Sequence, residues 1–451
     1  MIRQNRNFNQ PNHQIKMKRR NFLRTSGIVS LAGPASFTSL TPSYSGSETA
    51  NGFSNWSDVR SQFNLRPDLI HMSQMFLASH PASVRQAIDH HRKQLDIDPY
   101  TYWEDHYFKF EDMTIQAASK YTGGKPEEIA LIPNTTTGLA MIYSGFRLKA
   151  GDEILTSVHD HFVTFFGLDY AVEKTGATLN RISLYDQSAQ ADAEQIVTRI
   201  SKAITPATRL VALTWVHSST GVKLPIRLIA DEIKRVNQNR DANRQIYFSV
   251  DGVHGFGNQD VNIPDLGCDY FIASAHKWIF GPRGTGILWA RKDAWDQIIP
   301  TIPPFSLNVV GPWAGMISGN VMANFSDKLS PGGFVSYENH WALKDAFDWQ
   351  MNIGKSRICN RTKELNTLLK KEMSQLTNVN LLTPISSDLS AGINCFEVKG
   401  LKPEETVQKL KANKIIASTS PYKISYARLT PSIVNNESEV LRCIKVLAGL
   451  K

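Results

Sequence analysis

The chain has 451 residues and a formal net charge of +9, with 41% apolar and 20% charged residues. That is ordinary globular composition, which argues against collagen, coiled coil and wholesale disorder, and the length allows two or three domains with a sizeable core. Seven cations (Arg3, Arg6, Lys16, Lys18, Arg19, Arg20, Arg24) precede the first acid, Glu48, so the body beyond residue 47 holds 43 cations against 41 acids and offers no general footprint for nucleic acid.

Residues 1–47 read as a leader. Lys18-Arg19-Arg20-Asn21-Phe22-Leu23-Arg24 precedes a short apolar stretch from Gly27 to Phe37. A charged head before a short apolar segment is the layout of a secretory signal, and the paired arginines sharpen it to a twin-arginine signal. A disordered basic tail is the alternative. No run reaches the roughly 18 apolar residues of a membrane span. The expectation is therefore export to the periplasm through the twin-arginine machinery, with no span in the mature form. Cys268, Cys359, Cys395 and Cys443 share no CxxC spacing, and sequence assigns no disulfide among them.

Residues 48–100 read as an N-terminal segment contributing to a small domain. From 101 to 305, short apolar runs alternate with helical segments. The runs are Ile129–Pro133, Glu153–Ser157, Leu179–Leu184, Arg209–Trp215, Ile246–Val250, Tyr270–Ala273 and Thr285–Ala290. Their length and flanking Gly, Pro, Asp or Asn residues read as seven buried strands, and the intervals between them predict helical crossovers. The fold class is α/β, with a mostly parallel seven-stranded sheet in a large domain. Residues 306–335 are a Gly/Pro-rich linker or interface loop. Residues 336–451 read as a smaller α+β domain: a long helical stretch from Glu338 to Leu376, strands at Val379–Leu382, Ile393–Val398, Ile415–Ser418 and Ile424–Arg428, and a last helix from Glu437 to Leu450 capped by Asn436.

Three strings carry chemistry. Ser274-Ala275-His276-Lys277-Trp278, followed by Gly281-Pro282-Arg283-Gly284-Thr285-Gly286, lies just beyond a strand end, where open α/β sheets place ligands. Among Phe271, Trp278 and Phe280 the lysine amine would lose charge and become able to form a Schiff base with an aldehyde cofactor. Taken alone, it also reads as a solvated surface lysine. Tyr247-Phe248-Ser249-Val250-Asp251 ends a strand on a carboxylate that needs a cationic partner, such as a pyridinium nitrogen, unless it merely caps a turn. Asn134-Thr135-Thr136-Thr137-Gly138 precedes a helix expected from Leu139, an anion site suited to phosphate or simply an N-cap run.

In this order the three strings resemble the class V aminotransferase family of fold-type-I pyridoxal-phosphate enzymes, which includes cysteine desulfurases and isopenicillin-N epimerase. The resemblance runs from about residue 65 to the end. It implies pyridoxal 5'-phosphate as cofactor, a small-molecule amino-acid substrate, a homodimer, and catalytic roles for Lys277, Asp251 and His161. Lys277 resembles the Schiff-base lysine and Asp251 the partner of the pyridine nitrogen, while His254 lies near the phenolic oxygen. Thr135, Thr136, Ser274 and His276 match the phosphate cup, and His161 matches the histidine stacked on the ring. Ser218 falls at a position facing the ring's substituents, and Arg428 matches the arginine that grips the substrate carboxylate.

Two features depart from the desulfurases. Their nucleophilic cysteine belongs in the loop Ile416-Ala417-Ser418-Thr419-Ser420-Pro421-Tyr422, which here has none, and a hydroxyl is far less ionised than a thiol. Pro331-Gly332-Gly333-Phe334 also differs from the desulfurase wording where relatives reach across a dimer interface. The expected activity is therefore transamination or epimerisation at Cα, with Lys277 as base; a C–S or β-elimination lyase is the alternative. A metal-dependent hydrolase using His159, His161, Asp251, His254 and His276 would leave Lys277 unexplained. A dinucleotide loop at Gly281–Gly286 precedes a strand where it should open a helix. A catalytically dead binding protein would not need Lys277, Asp251 and Arg428 together. Asp98-Pro99-Tyr100-Thr101-Tyr102-Trp103 is either an aromatic wall of the pocket or ordinary helix packing.

Overall fold

All seven expected strands form, within a residue or two of their expected ends, and they join one sheet. Across it the order is Ile129–Ile132, Gly286–Ala290, Tyr270–Ser274, Tyr247–Asp251, Thr208–Thr214, Glu153–Ser157 and Thr178–Ile182. The computed structural model describes residues 52–317 and 323–451, so the leader and its twin-arginine reading lie outside the described residues. Pairing is parallel except at Gly286–Ala290, which runs antiparallel to both its neighbours. The segment between Ser274 and Gly286 contains no helix to carry the chain back across the sheet, so the strand returns in the opposite direction.

Both faces of this sheet are covered, which is why its strands read as continuous apolar runs. Successive side chains point to opposite faces: Val211 and Leu213 join one hydrophobic cluster, Leu210 and Ala212 the other. The first cluster includes side chains of helices Pro99–Thr122, Ala193–Ala203 and Ile226–Asn237, the second those of Thr135–Gly145 and Phe162–Thr175. Each large aliphatic side chain so buried contributes about 1.5–3 kcal/mol.

A second sheet is antiparallel and four-stranded, in the order Ser418–Thr419, Ala427–Leu429, Asn394–Val398 and Val379–Leu381. Helices Lys355–Met373 and Glu437–Ala448 pack on it through Leu365, Leu369, Val440 and Leu447. Asn436 caps the last helix, with Glu439 completing a capping box.

Several expectations need correcting. The long helical stretch is three helices, Tyr337–Trp341, Leu343–Ile353 and Lys355–Met373, and Gly354 at φ 97° breaks it with a backbone conformation that favours glycine. Ile415–Ile416 pairs in parallel with Ile70–His71 as a separate two-stranded ribbon, because the matching strand comes from the far end of the chain. Ile424 is exposed in a loop and its expected strand starts at Ala427. The 306–335 loop contains helices Leu307–Trp313 and Phe325–Leu329. Residues 99–103 begin the Pro99–Thr122 helix, capped by Asp98, with Trp103 stacked on Tyr107, so that string is helix packing. Among the described residues no helix is long and apolar enough to cross a membrane, and all four cysteines are free.

Candidate active site

Parallel strands present their C-terminal ends at one edge of a sheet, and two neighbours end there on polar residues, Asp251 and Ser274. Gly252 follows Asp251, and a Cβ there would lie 2.0 Å from the Phe271 ring, so only glycine lets that ring pack beneath the strand end. Beyond Ser274 the chain turns sharply. Phe280 N donates to Lys277 O at 3.1 Å and Gly281 N to Ala275 O at 2.9 Å, with buried Phe280 at φ 60°. A left-handed non-glycine residue costs about 1–3 kcal/mol, here offset by packing of Phe280 on Phe63 and Trp349. The side chain of Gln74 reaches the same turn, donating to Lys277 O at 3.2 Å.

Lys277 Nζ is in hydrogen-bond contact with His254 Nε2 at 3.3 Å. Burial pulls the amine below its ordinary range, partly opposed by the Asp251 carboxylate, while the Arg428 charge lowers it further. Burial pushes the Asp251 carboxyl up, opposed by the Val253 amide donating to its Oδ1 at 3.1 Å and by Lys277. The Asp251 carboxylate thus accepts from its own turn and lies within electrostatic reach of the Lys277 amine. His254 is buried and held neutral, with Nδ1 left without a partner.

The helix at the phosphate-like string opens at Thr135, four residues before the expected Leu139, because Asn134 is its N-cap and accepts from the Thr137 amide. The Thr137 hydroxyl donates to the same Asn134 Oδ1 at 3.2 Å. Thr135 Oγ1 accepts from Ser274 N at 2.8 Å and lies 2.7 Å from Ser274 Oγ, while Thr135 N donates to Ser274 Oγ at 2.6 Å. Thr136 is exposed on the first helical turn. His276 is half-buried, and burial, then the Lys277 charge, lowers its pKa to about 4.

The second wall comes from the four-stranded sheet. Arg428 is 2% exposed and donates from Nε to Ser418 Oγ at 3.2 Å, from Nη1 to Ser218 O at 3.0 Å and from Nη2 to Thr419 O at 2.5 Å. Ser218 Oγ lies 2.7 Å from the Tyr422 hydroxyl, and the Tyr422 ring stands edge-on to His161 at 5.9 Å. His161 caps the Phe162–Thr175 helix, and burial, with Lys277 and Arg428 adding, lowers it to about 4, so its ring is neutral. Tyr422 and Gln74 were given no role by sequence reasoning. The signal for Tyr422 was an aromatic directly after the Ser/Thr/Pro run of the loop ahead of Arg428.

Not every candidate converges. His159 turns away from His161 to stack on Tyr185 at 3.9 Å, and its Nε2 accepts from Leu184 N. Among the described residues, no group of three or more His, Cys, Asp or Glu side chains is placed to hold a metal ion. Cys395 lies near the second wall, with Sγ 4.0 Å from Ser218 O, but burial pushes its thiol up to about 12.

With this geometry in view, the Aminotransferase class-V profile matches residues 100–421. The chain belongs to that family. It is 24% identical to the isopenicillin N epimerase of Streptomyces clavuligerus over 351 residues, covering 76% of this chain and 84% of that protein. It is 26% identical to a probable cysteine desulfurase of Xylella fastidiosa (strain 9a5c) over 295 residues, covering 64% of this chain and 65% of the relative. The fold matches a solved C-DES variant with glycine covalently linked to its PLP cofactor, at a TM-score of 0.78 and 22% identity, over 87% of this chain and 99% of that one.

Pyridoxal phosphate is the cofactor of the class-V family, and the residues present fit it. A half-buried amine of lowered basicity, a buried carboxyl on the adjacent strand, an unpartnered His254 Nδ1 and a hydroxyl-lined helix N-terminus match an aldehyde, a ring nitrogen, a phenolic oxygen and a phosphate.

Proposed function

We propose that the protein is a pyridoxal-phosphate enzyme acting at Cα of an α-amino acid, by transamination or epimerisation. The observation that carries this reading is a half-buried amine, Lys277, within electrostatic reach of the buried carboxyl of Asp251 and of the Arg428 guanidinium from the other sheet. When bound, the cofactor supplies an electron sink that acidifies the Cα–H bond. Lys277 would hold it covalently, Asp251 would meet its ring nitrogen and His254 its phenolic oxygen. Thr135, Thr136, Ser274 and His276 would take its phosphate, with His161 against the ring and Ser218 facing its substituents.

The chain's own residues do the rest. Arg428 presents a fork that fits the substrate carboxylate, once its bonds to the Ser418–Thr419 strand and to Ser218 are shared or released. The lowered basicity of Lys277 leaves a larger fraction of free amine near neutrality, the form that accepts the Cα proton. Sulfur transfer has weak support: the loop ahead of Arg428 holds no thiol, and Cys395 stays protonated.

The test is incubation with single amino acids in deuterated water. The wild type is expected to place deuterium at Cα. Lys277→Ala should lose at least about 10²–10⁴-fold of that exchange, together with the protein-bound cofactor absorbance. Keto acid, inverted amino acid or ammonia with pyruvate then distinguishes transaminase, epimerase and lyase. The reading is wrong if no amino acid exchanges its Cα proton. We further propose export through the leader and a homodimeric state. Replacing Arg19 and Arg20 by lysine should stop export, and the solution mass of the holoprotein reads the assembly.

A further inference from the structure

We propose that Tyr422 is the second proton-transferring group of the site, that it faces Lys277 across the substrate's Cα, and that the reaction it serves is inversion at that carbon. This rests on the reading of Cα chemistry above and narrows it to epimerisation.

Tyr422 sits on a strap between Thr419 and Ala427 that closes on itself. Ser420 N donates to Tyr426 O at 2.9 Å, Tyr426 N to Ser420 Oγ at 2.9 Å, and Ser425 Oγ to Ser420 O at 2.8 Å. Pro421, Lys423 and Ile424 are exposed, while Tyr422 between them turns inward to Ser218 and His161. The same Ser218 accepts from Arg428 Nη1, so the phenol and the guanidinium meet on one residue. A carboxylate gripped by Arg428 brings its Cα, one bond away, into the neighbourhood of the phenol. Lys277 reaches that space from a different wall, the end of the Tyr270–Ser274 strand. The His161 ring, next to Tyr422, feels both the Lys277 and Arg428 charges, so amine, phenol and guanidinium border one space.

Inversion needs a base on one face of Cα and a donor on the other. The free Lys277 amine takes the departing proton as the Cα–H bond breaks. The Tyr422 O–H bond breaks as a new C–H bond forms on the opposite face. The phenolate then regains a proton from the lysine ammonium through solvent, so one proton leaves and one arrives, with no oxidant or reductant. Burial keeps the phenol protonated well above its ordinary range, the form a donor requires. A phenol in this loop is not the thiol nucleophile that desulfurases carry there, but it can move a proton.

The test uses holoenzyme and Tyr422→Phe with a panel of enantiopure L-amino acids in deuterated water. Cα deuteration and formation of the D-enantiomer are measured separately. The expected result is an inversion-to-exchange ratio lowered at least about 10²-fold in the variant, with Cα exchange persisting. A misfolded fraction lowers both rates alike, so the ratio reads the hydroxyl itself. An unchanged ratio overturns the proposal. So does a wild type that exchanges its Cα proton and gives only keto acid, an outcome that leaves the function proposed above standing. Absence of exchange in the wild type sinks both. Independently of turnover, phenolate absorbance of the two apoproteins should differ by one group titrating above the ordinary tyrosine value of 10.0. A Tyr422 already ionised near neutral pH, which could not donate, overturns the proposal.

Discussion

The two walls of the site are built on different principles. On the seven-stranded sheet, Asp251, Ser274 and Lys277 stand on or just beyond the ends of adjacent parallel strands, so backbone ladders already fix their spacing. On the four-stranded sheet, Arg428 lies in a three-residue strand, and its guanidinium is held by a carbonyl of the loop beyond the Thr208–Thr214 strand and by the two-residue Ser418–Thr419 strand. The first wall is set by main chain and the second by side chains that can exchange partners. Substitutions in the first should therefore act on chemistry and cofactor, and those in the second on substrate binding and on what happens after Cα loses its proton.

Asp251→Asn gives the largest effect expected of this comparison. An amide keeps the shape but cannot hold a positive ring nitrogen, and removing one such preorganised electrostatic partner costs about 10²–10³-fold in turnover. The amino acid KM should move little. The carboxyl also predicts a pH effect on the apoprotein. Its folded pKa is raised above the unfolded 3.8, so the stability it contributes is full below that value and is lost as pH rises through the raised one. Asp251→Asn should flatten that slope in denaturation curves taken across the range. A variant that raised KM and kept its turnover would show that the first wall is a binding surface.

Arg428→Lys should cost about 10-fold to 100-fold in substrate KM, the worth of a charge-assisted hydrogen bond, with turnover of the saturated enzyme changing less. Lysine keeps the charge but not the fork, and it cannot reach Ser418, Ser218 and Thr419 together. Steady-state kinetics separate the two parameters. If kcat falls as far as kcat/KM, Arg428 acts in the transition state and the proposed division between the walls fails.

The same division explains what the sequence made legible. Seven apolar runs of strand length, each bounded by turn residues, predict seven strands. An acid or a Ser-x-His-Lys string directly after such a run then lies at the sheet's C-terminal edge. Those are local patterns. Tyr422 was invisible because its role depends on Ser218, two hundred residues earlier in the chain, and nothing near Pro421 encodes that partner. The pairing of Ile415–Ile416 with Ile70–His71 was hidden for the same reason. Asn134, by contrast, was legible as a cap in principle. The run of three threonines after it drew attention to hydroxyls, although an Asn side chain accepts the first free amides as well as any.

The smallest effect separates the walls by stability alone. Thr135 and Ser274 satisfy each other in a closed ring: each backbone amide donates to the other's hydroxyl, and the hydroxyls lie in contact. Both residues are buried. Thr135→Val leaves the Ser274 amide without its acceptor, and an orphaned buried donor costs about 1–3 kcal/mol. Ser274→Ala orphans the Thr135 amide by the same reasoning. The double variant has no hydroxyl left to orphan, so its loss in apoprotein denaturation should be smaller than the sum of the singles, a coupling of about 0.5–3 kcal/mol. In the other wall, Tyr422 sits on a strap whose neighbours Pro421, Lys423 and Ile424 are exposed, so the strap can shift when the Ser218 partner is lost. The corresponding cycle there should give a coupling nearer to zero. Equal couplings in the two cycles would mean that the strap is as fixed as the strand ends, and that the contrast between the walls is one of chemistry without one of rigidity.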